Sequence, residues 1–198
     1  MPLIDVLIPT SKHRLHGLLS QIRSALNQPY DIRVTVAMGT PWEELRVKLS
    51  HSELEYIRFI HNAPEGHVGG PANLYCLEKF NWGDWIYSTG DDDVIFPWTF
   101  KHFMDNSANV SMVVGGVSTY TKDDHLHHTM KVGHTLEYGK VTGPCVLYKA
   151  NDLLALDKPY FDPTNHANDF ELITKMAAKY KYRIIPNVVC GIVLDTLG

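Results

Sequence analysis

The chain is poor in cysteine. Its three residues, Cys76, Cys145 and Cys190, are spread widely over 198 positions. That number and spacing suit neither a disulfide framework nor a zinc knuckle, and a reducing compartment is the simpler expectation. Long apolar runs are missing as well: none reaches the roughly 18 residues that a membrane-spanning helix needs. The opening residues, Met1-Pro2-Leu3-Ile4-Asp5, lack the basic stretch and apolar core of a secretory signal. Basic charge is in deficit, with 18 Lys and Arg against 22 Asp and Glu, a formal net charge of -4. Such a balance leaves no general basic footprint for nucleic acid. The sequence also has no internal repeat and no low-complexity segment. Together these absences point to a soluble, cytoplasmic protein, with peripheral membrane association still open. The remaining composition is ordinary for a globular chain: 44% hydrophobic and 20% charged residues, enough for a sizeable core. The length suggests one domain.

The most informative stretch is Trp85 to Pro97. Trp85-Ile86-Tyr87-Ser88 reads as a buried strand with a polar exit. Asp91-Asp92-Asp93 come next, and then the apolar Val94-Ile95-Phe96. Pro97 suits the first position of a helix through Trp98, Phe100, Phe103 and Met104. Three adjacent carboxylates at a strand end repel one another unless a cation or hydrogen-bond donors offset them. Hard divalent cations take one or two such carboxylates together with substrate phosphate oxygens. Ligands of open α/β sheets bind outside the carboxyl ends of the strands. The triplet therefore reads as a metal–diphosphate site, against the plainer reading of a solvated acidic turn.

The rest of the chain supplies an α/β alternation. Ile4–Ile8 reads as a first strand, ended by Pro9-Thr10-Ser11, and Leu15, Leu18, Leu19, Ile22, Ala25 and Leu26 share one helical face. Asp31–Ala37 alternates as a second strand. Thr40 and Pro41 suit a helix start, with Trp42, Leu45 and Leu49 as its apolar stripe. Tyr56–Ile60 is a third strand. Strand, helix, strand, helix, strand predicts a parallel sheet. Gly69-Gly70-Pro71-Ala72-Asn73 leads into a helix with Leu74, Leu77 and Phe80 inward. Glycines there permit close approach to an anion, or simply make a turn. Val110–Tyr120 reads as a strand whose Gly115-Gly116 imply a bulge or a close ligand. Thr121–Tyr138 holds His125, His127, His128 and His134. It reads as an exposed loop or hairpin, the alternative being that one histidine completes the site or touches an acceptor. Val146–Lys149 is a strand after a turn, Asn151–Leu156 a short helix and Asp157–Ala167 a loop. Phe170 to Tyr180 marks an amphipathic helix, with Asn168 or Asp169 as its cap. Tyr182–Pro186 and Val188–Val193 read as two last strands.

Taken in order, these pieces resemble the GT-A nucleotide-sugar glycosyltransferases, and most of all glycosyltransferase family 2. The motifs are Val6-Leu7-Ile8-Pro9-Thr10 with Arg14, Gly69-Gly70-Pro71-Ala72-Asn73, Asp91-Asp92-Asp93, Thr142-Gly143-Pro144-Cys145 through Lys149, and Asn168-Asp169 opening a helix. The resemblance implies a GT-A (Rossmann-like) α/β fold with a mixed, mainly parallel sheet flanked by helices. It implies a single domain over 1–198, with a nucleotide-binding half at 1–97 and an acceptor and catalytic-base half at 98–198. It further implies that Pro9, Thr10, Arg14, Gly70, Asn73, Asp91 and Asp92 serve the nucleotide and donor sugar. Asp91 and Asp93 would ligate Mn2+ or Mg2+, and Asp169 would be the general base in an inverting transfer to an acceptor hydroxyl. The acceptor would be a glycan, a protein-linked glycan or a small molecule.

Three positions depart from the family pattern. Ala37-Met38-Gly39 has no acid at the end of the second strand, where the family reads uracil. Ala72 stands in place of Arg, and Asn168 in place of Glu. A UDP-sugar is the default donor, with GDP- and dTDP-sugars as alternatives. Two other functions fit the same fold. One is a non-catalytic nucleotide- or sugar-binding module. The other is a nucleotidyltransferase, although Pro9 to Arg14 has no glycine for a phosphate loop.

Overall fold

The computed structural model describes residues 1–10, 15–38, 43–61, 63–64, 70–121, 126–130, 136–138, 141–165 and 167–194. Strand β1 (Leu3–Thr10) lies at the centre of the first half, with Ile4, Val6 and Ile8 fully buried. It pairs in parallel with β2 (Asp31–Met38) on one side and β4 (Trp85–Ser88) on the other. Outside β2 lies β3 (Ile57–Ile60), also parallel. Helix α1 (Leu15–Leu26) covers β1 with the buried stripe Leu18, Gln21, Ile22 and Ala25. The expected crossover pattern is thus present.

The helix expected around Leu45 and Leu49 is two short ones, α2 (Glu43–Arg46) and α3 (His51–Leu54). Ser50 divides them. Its hydroxyl accepts from the Glu53 N–H while the Glu53 carboxylate accepts from the Ser50 N–H. That reciprocal cap starts a new helix. Thr40, Pro41 and Trp42 lie outside the described residues. Helix α4 (Gly70–Lys79) precedes β4, as the sequence indicates.

Beyond the acidic triplet the chain departs from expectation at two points. Asp93 opens a short strand, β5 (Asp93–Ile95), antiparallel to the last strand. Helix α5 (Thr99–Asp105) then begins two residues after Pro97. The Thr99 hydroxyl fixes that start: it accepts from the Phe96 N–H at 2.9 Å and donates to the Val189 carbonyl.

The second half completes the sheet. Strand β6 (Met112–Thr121) pairs in parallel with β9 (Tyr182–Leu194), and antiparallel with β7 (Leu126–Met130) and β8 (Val146–Lys149). The short helix α6 (Ala150–Leu154) comes after β8, and α7 (Asn168–Lys179) precedes β9. The path runs β3-β2-β1-β4-β8-β6-β9-β5, with β7 alongside β6. The sheet is mixed, and its longest pairings, β1–β2 and β6–β9, are parallel.

Strand β9 is continuous, whereas the sequence pattern predicts two strands. Pro186 has no N–H for the ladder, so it falls in an irregularity between Ile184 and Val188 rather than at a strand end. Gly115 faces that irregularity. A Cβ there would lie 2.5 Å from a Val189 methyl, so a protein side chain fills the space rather than a ligand. The core spans both halves: Phe100 and Phe103 pack on the fully buried Tyr87 ring. Among the described residues, no helix is long and apolar enough to cross a membrane.

Candidate active site

Strands β1 and β4 run side by side and end at one edge. Leu7 pairs with Ser88, and the Thr89 N–H donates to the Leu7 carbonyl at 3.0 Å. The carboxyl ends of the two strands are thereby brought together. Thr10, the last residue of β1, donates its hydroxyl to Asp91 Oδ2 at 2.5 Å, and Asp91 is buried. Asp92 is exposed at the tip of the turn. Asp93 Oδ2 turns back to accept from the Gly90 N–H at 2.5 Å and the Thr89 hydroxyl at 3.1 Å. Gly90 is pinched between two carboxylates: a Cβ there would sit 2.7 Å from Asp92 Oδ1 and 3.1 Å from Asp93 Oδ2.

Asp169 reaches the same edge from the other half. It is not the cap of α7, as the sequence suggests; Ala167 holds that position and makes no side-chain cap bond. The Asp169 carboxylate turns instead to the Gly143–Cys145 turn that precedes β8. Its Oδ2 accepts from the Gly143 N–H at 2.8 Å and its Oδ1 from the Phe170 N–H at 2.8 Å. Tyr87 anchors this turn from below, donating its hydroxyl to the Pro144 carbonyl at 2.7 Å. Gly143 lies between the two halves: a Cβ on it would be 3.9 Å from Asp169 Oδ2 and 4.0 Å from the Ser88 carbonyl. Helix α4 touches both sides. Asn73 Oδ1 accepts from the Ser88 hydroxyl at 3.4 Å, and Gly70 abuts the Asn168 amide, with which a Cβ would collide.

Thr10, Gly70, Asn73, Asp91, Asp92, Asp93 and Asp169 are therefore gathered around one sheet edge, with Pro9 just before Thr10. Arg14, His125 and His134 lie outside the described residues, while His127 and His128 fall on β7, in a hairpin with β6. Sequence reasoning missed Tyr87 as the support of the turn. It also missed Gln21, the polar member of the buried stripe of α1, a pattern visible in the sequence. A cavity of about 550 Å3 lies at the opposite end of β4, lined by Trp85, Lys149, Lys179 and Lys181. It is far from the carboxylates, and two of its lysines are engaged, with Asp152 and with the Ala155 carbonyl. The buried thiols of Cys76 and Cys145 are pushed up to about 12 by desolvation, so neither is a thiolate nucleophile at neutral pH.

Burial pushes the Asp93 carboxyl up to about 7, with Asp92 and Asp91 adding to the rise against the Gly90 and Thr89 hydrogen bonds. A carboxylate so placed gains from a cation. The donor set is oxygen only, which suits Mg2+ or Mn2+. Among the described residues, no three acidic, histidine or cysteine side chains converge on one point.

This arrangement predicts a pH dependence. The unfolded chain loses the Asp93 proton near about pH 4, whereas the folded protein keeps it to about 7. The metal-free fold therefore loses stability from this group as pH rises through that window. A cation requires the deprotonated form. If Asp93 is a ligand of the cation, Mn2+ affinity is expected to rise by up to about tenfold per pH unit below about 7 and to level off above it. Calorimetric titration across that range checks this, and a flat profile contradicts it.

Comparison with known proteins places the fold. No protein-family model matches the chain, and no curated protein matches it in sequence. Solved structures do match. S. aureus TarS 1–349 superimposes with a TM-score of 0.71 at 12% identity, over 96% of this chain and 60% of that one. The same protein in complex with UDP-GlcNAc gives 0.70 at 14% identity, over 98% and 59%. The mannosyltransferase PcManGT from Pyrobaculum calidifontis, in complex with GDP-Man and Mn2+, gives 0.72 at 16% identity, over 100% and 58%. The chain thus spans about three-fifths of these structures. At such identities the likeness is one of fold, and the fold is GT-A.

Proposed function

We propose that the protein is a metal-dependent, inverting glycosyltransferase that moves a sugar from a nucleoside-diphosphate sugar to an acceptor hydroxyl, on a glycan or a small molecule. The observation that carries this reading is that Asp169, bonded to Gly143, comes beside the Ser88 end of β4, from which the Asp91–Asp93 turn leaves. Residues 1–97 would bind the nucleotide, and 98–198 would supply the base and the acceptor surface.

The chemistry assigns the roles. Sugar transfer breaks the anomeric carbon–oxygen bond and releases a nucleoside diphosphate. A bound Mn2+ or Mg2+ would offset the charge gathering on that leaving group. Asp91 and Asp93 would hold the ion, while Pro9, Thr10, Gly70, Asn73 and Asp92 border the donor. Asp169 takes the acceptor hydroxyl's proton as the new bond forms. The Gly143 and Phe170 N–H groups fix the plane of its carboxylate. A base facing the side opposite the leaving group gives inversion. UDP is the default nucleotide, and GDP is the alternative, since the structural neighbours were solved with UDP-GlcNAc and with GDP-Man.

The test is release of nucleoside diphosphate from UDP- and GDP-sugars, with Mn2+ and after chelation. Release with one donor, abolished by EDTA and raised by an added acceptor, is expected. Donor binding without release under any condition would instead favour a binding module.

A further inference from the structure

The acidic turn is held from behind by helix α1. Gln21 is 1% exposed, on the inward stripe with Leu18, Ile22 and Ala25. Its amide spans the turn. Nε2 donates to the Thr89 hydroxyl oxygen at 3.3 Å and the Gly90 carbonyl at 3.2 Å, and Oε1 accepts from the Ile95 N–H at 3.2 Å. The three bonds close over the chain on both sides of Asp91-Asp92-Asp93. One turn earlier on the same face, Gly17 lets the helix press on the turn itself: a Cβ there would collide with the Asp91 carbonyl oxygen.

The direction of these bonds matters. Thr89 has one hydroxyl proton. Because Gln21 donates to its oxygen, that proton is left for Asp93 Oδ2, 3.1 Å away. Gly90 is treated likewise: its carbonyl accepts from Gln21 while its N–H donates to Asp93. Both groups that hold Asp93 are therefore themselves held by Gln21. A neutral amide does this without adding charge beside the three carboxylates. A leucine or methionine would fill the same apolar stripe but would leave buried peptide groups unpaired, which is costly.

We propose that Gln21 is a positioning residue for the metal–diphosphate site, holding the Thr89–Ile95 turn in the shape that presents Asp91 and Asp93 to a divalent cation. The proposal rests on the metal-dependent reading of this turn. Gln21 touches neither donor nor ion; it acts through Thr89, Gly90 and Ile95.

The experiment compares the wild type with Gln21→Met, which keeps length and flexibility but not the hydrogen bonds. Mn2+ binding is measured with UDP and with GDP, well below the unfolding temperature. Hydrogen exchange of peptides covering residues 89–95 is monitored in the metal-free protein. The expected result is a Mn2+ affinity lowered at least tenfold, a metal-free nucleotide affinity changed less than twofold, and faster exchange confined to that turn. A variant with a lowered melting temperature but unchanged Mn2+ affinity and unchanged exchange at 89–95 overturns the proposal, because that is what a merely structural role produces. If Gln21→Met does not fold, Gln21→Glu serves by the same criteria. It keeps the acceptor for Ile95 but loses both donors. A wild type that binds no Mn2+ with either nucleotide refutes the metal reading of the turn. The exchange readout then decides by itself whether Gln21 holds the turn.

Discussion

Replacing Asp169 by Asn is expected to lower sugar transfer by roughly 10²–10⁴-fold while leaving Mn2+ and nucleotide binding within about twofold of wild type. The substitution preserves size and keeps an oxygen to accept from Gly143 or Phe170. It removes the capacity to take a proton, together with the charge and one of the two acceptor oxygens. The loss should appear in kcat rather than in donor KM, since the base acts when the acceptor attacks. Steady-state kinetics with the donor found by nucleotide release, together with calorimetry of donor binding, separate the two. Full turnover in Asp169→Asn would remove this residue from its role.

The second large effect lies at the other end of β1, away from the chemistry. Asp5 is fully buried and accepts from Arg33 Nε at 2.5 Å, from an Arg33 terminal N–H at 2.8 Å, and from the Gly83 N–H at 2.5 Å. It joins β1, β2 and the approach to β4. Asp5→Ala leaves a guanidinium and a peptide N–H without their acceptor. It also leaves Arg33 beside Arg58, whose own charge is already disfavoured by burial and then by Arg33. Removing one partner of a buried pair costs roughly 3–5 kcal/mol. The lower end is expected, because Arg33 retains some contact with water. For a chain of this size that is a fall of roughly 6–20 °C in melting temperature. At low temperature the folded fraction should still bind Mn2+ and nucleotide. A melting temperature within about 2 °C of wild type would show that the pair contributes little.

Much of this architecture is legible in the sequence because its signals are local. The apolar run of β1, the alternation of β2 and the stripe of α1 each carry their period within one element. The features that the sequence hides depend on distant partners. The three-residue β5 exists because Val94 and Ile95 find β9 nearly a hundred positions away. Pro186 reads as a break and becomes an irregularity within β9, because β6 supplies a ladder on either side of it. Helix α5 starts later than Pro97 suggests because the proline signal is outweighed by the Thr99 hydroxyl, which bonds to both Phe96 and Val189. At the site, the residue types are legible and their orientation is not. Asp169 at a helix start reads as a cap, yet its carboxylate is claimed by Gly143, across a turn that Tyr87 supports. Gln21 carries a signal, a polar side chain on an apolar stripe, but its partners are set by the tertiary fold.

If the edge formed by Asp91, Asp93 and Asp169 binds a nucleoside diphosphate together with a divalent cation, the two ligands must stabilise the fold jointly. Thermal unfolding with UDP, GDP and dTDP, each with and without Mn2+, reads that coupling. At about 100 times its dissociation constant a ligand adds roughly 2.7 kcal/mol of stability, a rise of roughly 5–11 °C here. Such a rise is expected with one nucleotide, dependent on Mn2+ and lost in Asp93→Asn. No shift with any nucleotide in the folded protein, or a shift indifferent to both Mn2+ and Asp93, would rule out a metal–diphosphate site at this edge.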